Sequence, residues 1–144
     1  MKICSVLTSM ERQDGAFLLH ANCADIKVCF VTDEIVRVRA SFDKELAEES
    51  YVLATTAWED RLDPLFEGER TRVQPVQPAV ADEKDSVTFT TAKLRLVVDK
   101  DPLSFKLYNG EGELLYSDLP GNPFVLDSNQ RVVHYSRMEE DDCF

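Results

Sequence analysis

Glycine is scarce in this chain, five in 144 residues, and none falls in a G-x-G-x-x-G or G-x-x-x-x-G-K-[ST] arrangement. Backbone loops of those two kinds cradle nucleotide phosphates, so no nucleotide cofactor is expected. A G-x-S-x-G nucleophile elbow is missing as well. Nor does any stretch approach the ~20 consecutive apolar residues that a membrane-spanning helix needs. The opening Met1-Lys2-Ile3-Cys4-Ser5-Val6-Leu7-Thr8 turns polar too quickly for a secretory signal. The chain therefore reads as a cytoplasmic protein without a membrane partner.

Basic residues are also short: 16 Lys and Arg stand against 27 Asp and Glu, a net charge of −11. Such a surface repels phosphate backbones, whose affinity for proteins comes largely from cationic neutralisation, so nucleic acid is excluded as a partner. A neutral ligand such as a sugar meets no such barrier. The cysteines, Cys4, Cys23, Cys29 and Cys143, contain no C-x-x-C pair of the kind used by structural zinc or thiol redox centres. In one straight strand Cys23 and Cys29 would share a face yet stand roughly 20 Å apart, too far to bridge. All four read as free thiols.

What remains is apolar and alternating. Hydrophobic residues make up 44% of the chain, which is not the composition of a disordered one. At this length it fits one domain, residues 1–144, with a core of its own. In Asp25–Val31, Ile26, Val28 and Phe30 share a face; Thr32-Asp33-Glu34 makes a turn; Ile35–Ala40 then turns Val36, Val38 and Ala40 inward. That is an antiparallel hairpin. Ile3–Met10 and Ala16–Ala21 predict another strand pair around Gln13-Asp14-Gly15, where glycine supplies a positive φ.

The second half repeats the pattern in Ser86–Thr90, Leu94–Val98, Ser104–Tyr108 and Glu113–Tyr116, with Asp99-Lys100-Asp101-Pro102 and Asn109-Gly110-Glu111-Gly112 as turns. Arg131–Met138 predicts a last strand. Between the halves, Asp43–Glu49 has room for one helical turn. Trp58–Val80 holds Pro64, Pro75 and Pro78, which forbid a continuous central element and suggest a crossover with an edge strand at most. Eight to ten short strands with turns at regular spacing argue for an all-β sandwich.

Candidate chemistry is thin. His20 and His134 both fall in predicted strands, where one hydrogen bond each is the plain expectation, and no spacing supports a metal. Glu139-Glu140-Asp141-Asp142 contains enough carboxylates for calcium or for an acid–base pair, but four in a row more often form a solvated segment. Trp58, the sole tryptophan, packs against the sandwich on one reading and stacks on a sugar face on the other. No catalytic residue, cofactor or metal ligand is assigned.

Three places resemble the N-terminal domain of glycoside hydrolase family 31, the α-glucosidase and α-xylosidase group. They are Ile26–Ser41 with its Arg37-Val38-Arg39 run, Leu94–Tyr116 with two hairpin turns, and Arg131–Phe144, which is similar to the strand and acidic stretch ahead of the family's F-Y-G-F/L-G-E motif. The resemblance implies a galactose-mutarotase-like β-sandwich placed before a (β/α)₈ barrel. In the family that barrel holds the nucleophile and the acid/base, so no catalytic residue of the family falls on this sequence. The implied partners are the downstream barrel of the same chain and, through it, a carbohydrate substrate. A stand-alone carbohydrate-binding module and a protein-interaction sandwich remain the alternatives, and a homo-oligomer stays open.

Overall fold

The computed structural model describes residues 1–13, 15–43 and 76–138, and among these it contains strands and turns but no helix. Twelve strands follow in chain order: β1 (Lys2–Cys4), β2 (Leu7–Gln13), β3 (Ala16–Ala21), β4 (Asp25–Thr32), β5 (Ile35–Ser41), β6 (Ala79–Asp82), β7 (Ser86–Thr90), β8 (Leu94–Lys100), β9 (Leu103–Asn109), β10 (Leu114–Ser117), β11 (Phe124–Leu126) and β12 (Val132–His134). They form a four-stranded sheet in the order β2-β3-β4-β5 and a five-stranded sheet in the order β10-β9-β8-β7-β6. A three-stranded sheet, β1-β11-β12, completes the set. Every described pairing is antiparallel.

The two larger sheets meet face to face. Inward residues of β3 and β4 (Phe17, Leu19, Ile26, Val28, Phe30) join those of β7, β8 and β9 (Val87, Phe89, Leu96, Val98, Phe105) in one buried cluster. At its centre Phe89 reaches across to Phe17 and Phe30, with ring centroids 4.8 and 5.8 Å away in tilted arrangements. Fully burying an aliphatic or aromatic side chain of this kind stabilises by roughly 1.5–3 kcal/mol, so this layer is the main driving force of the fold. The expected β-sandwich is the observed one, and the alternation that predicted it places Val36 and Val38 opposite Phe30 and Val28.

Turn chemistry matches the sequence in detail. Gly15 takes φ 79° between β2 and β3. At the β9–β10 hairpin Gly112 takes φ 89°, and the Asn109 side chain accepts the N–H groups of Glu111 and Glu113 at 3.0 and 2.9 Å. Asp101-Pro102, joined by a cis peptide bond, forms the tight β8–β9 turn. The Asp33-Glu34 turn is tied to the neighbouring sheet: the Thr91 hydroxyl donates to the Asp33 carbonyl at 2.7 Å.

Four features depart from the alternation. Ile3–Met10 is not one strand, because the chain switches sheets at Ser5-Val6. The Asn22 side chain holds that break by accepting from the Ser5 N–H at 2.9 Å and donating to the Ile3 carbonyl at 3.0 Å. Further along, β11 is too short to show a period. Arg131–Met138 forms a ladder only over Val132–His134. Beyond it the backbone changes partner, with Tyr135 N–H on the Pro123 carbonyl at 3.1 Å and Arg137 N–H on the Ser117 carbonyl at 2.8 Å. Finally, Cys23 lies in the bend before β4 rather than in line with Cys29. Of the expected crossover, β6 starts immediately after Pro78 as the edge strand of the five-stranded sheet. The helical turn proposed for Asp43–Glu49 lies outside the described residues beyond Asp43.

Candidate functional site

Where the three sheets converge, three polar side chains meet: Tyr116 from β10, Asp118 just after it, and His134 from β12. A bridge between Asp118 and Ser136 brings the two segments side by side. Asp118 is 2% exposed, so its carboxyl needs partners to be tolerated there. It has three. One oxygen accepts the Phe105 N–H at 3.0 Å; the other accepts from the Tyr116 hydroxyl and from His134 Nε2 at 2.8 Å. Tyr116 Oη and His134 Nε2 are themselves 2.7 Å apart.

Proton roles follow from that triangle. A carboxylate only accepts, so the phenol hydrogen and an Nε2 hydrogen both point to Asp118. The phenol is held well above its ordinary range, first by burial, then by its hydrogen bond to Asp118 and by that group's negative charge. Phe124 stacks on the imidazole at 4.8 Å and 19°, and the Tyr116 ring lies 6.0 Å from it, inclined by 30°. These groups close one end of a cavity of about 300 Å³. Its walls are Val36 and Val38 of β5 and Leu96 and Leu107 of β8 and β9, with Phe105 and Phe124 beside the polar end.

The second histidine belongs to a half-buried pair. His20 on β3 stands opposite Asp25 on β4, with Nδ1 2.8 Å from the carboxylate, and Glu11 on β2 lies 3.8 Å from Nε2. No group of three His, Cys, Asp or Glu side chains among the described residues converges to hold a metal ion. Trp58, Glu139-Glu140-Asp141-Asp142 and Cys143 lie outside the described residues.

The sequence reading expected one hydrogen bond for His134, and it missed Asp118 and Tyr116. Tyr116-Ser117-Asp118 carries only the signal of an acidic residue ending a strand, and its meaning depends on a partner 16 residues away. Cys4, Cys23 and Cys29 are free thiols, as expected. Cys4 is fully buried beside Cys23, a contact that no spacing rule would flag. Burial first, and then the neighbouring thiol, push Cys4 up to about 12.

Comparison with known proteins places the fold. No curated protein sequence matches the chain. Among solved structures it is similar to the family 31 glycoside hydrolase dextranase of Flavobacterium johnsoniae, at 18% identity and a TM-score of 0.67 over 89% of this chain. It is likewise similar to the cycloalternan-forming enzyme of Listeria monocytogenes, at 16% identity and a TM-score of 0.57 over 85% of this chain. It spans only 14% and 10% of the lengths of those proteins, and at such identities the likeness establishes the shared fold. The family model for the glycosyl hydrolase 31 N-terminal galactose mutarotase-like domain matches residues 25–143, a stretch that takes in the hairpins and the Tyr116–Asp118–His134 cluster alike. The resemblance in the hairpin motifs thus reflects membership: the chain belongs to the family of glycosyl hydrolase 31 N-terminal galactose mutarotase-like domains.

Proposed function

We propose that this chain is the non-catalytic N-terminal domain of a retaining α-glycosidase of the α-glucosidase or α-xylosidase kind, and that it braces and shapes the active-site mouth of a (β/α)₈ barrel downstream. The family match over residues 25–143 carries the reading. The small share of the dextranase and cycloalternan-forming enzyme chains that it covers supports a larger protein around it. Barrel enzymes work at the loop-built end of their strands, where a neighbouring sandwich can narrow the entrance and exclude water.

A surface feature favours a covering partner. Leu114 and Leu115 on β10, Leu119 and Tyr135, Val132 on β12 and Met138 are all exposed. Leu119 and Tyr135 are joined by a backbone hydrogen bond of 3.0 Å, and Arg137 is bonded to the end of β10. Apolar residues crowded along neighbouring chain segments in this way are typical of a surface that another body covers.

The test is an assay of the purified chain with an aryl α-glucoside, together with calorimetric titration by isomalto-oligosaccharides. Neither turnover nor binding is expected. Turnover would overturn the non-catalytic assignment. Millimolar or tighter binding lost in Trp58→Ala would favour a stand-alone carbohydrate-binding module instead.

A further inference from the structure

The cavity bounded by Tyr116, Asp118 and His134 has a chemistry that the bracing role does not use. Its aliphatic walls, Val36, Val38, Leu96 and Leu107, offer no hydrogen-bonding group. Its polar side chains, Tyr116, Asp118 and His134, sit together at one end. There the Tyr116 hydrogen and the His134 Nε2 hydrogen are already spent on Asp118, so a newcomer meets the lone pairs of the Tyr116 oxygen and the negative charge of a carboxylate. Such an end attracts a hydrogen-bond donor and repels an anion.

We propose that this cavity is a binding site for a compact organic molecule with an apolar ring or branched body and one hydroxyl or ammonium head directed at the Tyr116 oxygen and the Asp118 carboxylate. A volume of about 300 Å³ holds a substituted six-membered ring, at the lower end of small-molecule pockets, which run from ~300 to 1,000 Å³. A free pyranose fits its chemistry poorly, because hydroxyls around the whole ring would face Val and Leu without partners. The site is also built to stay open. Val36 and Val38 are held in register against Phe30 and Val28, Leu96 is paired with Leu107, and Asp118 is fixed by Phe105 through both its side chain and its own N–H. Walls on paired strands resist collapse and keep the polar end aimed.

Methyl and imidazole NMR of the full 144-residue chain tests it. Cyclohexanol and cyclohexylamine should each produce saturable shifts at the Val36, Val38, Leu96 and Leu107 methyls and at the His134 ring, with dissociation constants on the order of 1 mM. Cyclohexanecarboxylate should bind at least tenfold more weakly, on the order of 10 mM or above, and glucose should leave those signals in place. Val38→Phe, or Leu107→Phe should the first variant lose its dispersed spectrum, fills the cavity and should abolish the response. The proposal fails if neither the alcohol nor the amine saturates those signals. It fails equally if the carboxylate or glucose binds as well as they do, or if the shifts survive in a folded cavity-filling variant.

Discussion

Replacing Asp118 by alanine removes the one acceptor on which three donors depend. The Phe105 N–H is the costliest to strand, because Phe105 is 3% exposed. A buried unsatisfied donor costs about 1–3 kcal/mol. The bonds from Tyr116 and His134 are half-buried and contribute about 1 kcal/mol each, while relief of the buried charge returns part of the sum. The net loss expected for Asp118→Ala is about 3 kcal/mol, a fall in Tm on the order of 10 °C for a domain of this size. Asp118→Asn keeps one acceptor oxygen and should cost about half as much, since its amide nitrogen must face either the Phe105 N–H or the Tyr116–His134 pair. Urea unfolding followed by circular dichroism measures both, with an unchanged m-value showing that the comparison is sound. An alanine variant within about 0.5 kcal/mol of the parent would refute the reasoning. So would an asparagine variant as damaged as the alanine one, since charge rather than acceptor geometry would then be what matters.

Three further outcomes follow from the same structure. Tyr116 and Cys4 both have folded pKa values raised above their ordinary 10.0 and 9.0, so their neutral forms stabilise the fold below those pH values. That contribution is lost as pH rises and the unfolded chain ionises first: stability should decline from about pH 9 upward, less steeply in Cys4→Ala and Tyr116→Phe, as urea midpoints across the alkaline range would show. At pH 8 iodoacetamide should label Cys23, which is partly exposed, well before Cys4, which is buried and held neutral; peptide mass mapping that found Cys4 modified first in the folded chain would contradict this. Phe89→Ala should cost about 3–5 kcal/mol, because the ring sits at the centre of the sandwich against Phe17 and Phe30, and denaturant unfolding reads the loss directly.

Local chemistry made much of the architecture legible. A side-chain period of two is a property of the strand itself, so Asp25–Val31 and Ile35–Ala40 disclosed both their hairpin and their inward faces without any tertiary information. Asn109, Gly112 and Asp101-Pro102 did the same for the second hairpin region, because turn geometry is fixed by the few residues within it. The motifs set between these hairpins were enough to suggest the family that the match over residues 25–143 establishes.

The tertiary structure decided what depends on residues far apart in the chain. Nothing in Ile3–Met10 announces that the strand breaks and changes sheets, because the break is held by Asn22 and by the Leu103 N–H on the Ser5 carbonyl at 2.7 Å. Likewise an aspartate at the end of β10 and a histidine in β12 are ordinary strand residues until the Asp118–Ser136 bridge sets them side by side and buries one against the other. Period and turn chemistry act over a handful of neighbouring residues, so sequence alone fixes strands and hairpins; a buried carboxylate with three donors and a cavity at its edge exists only once the sheets have closed.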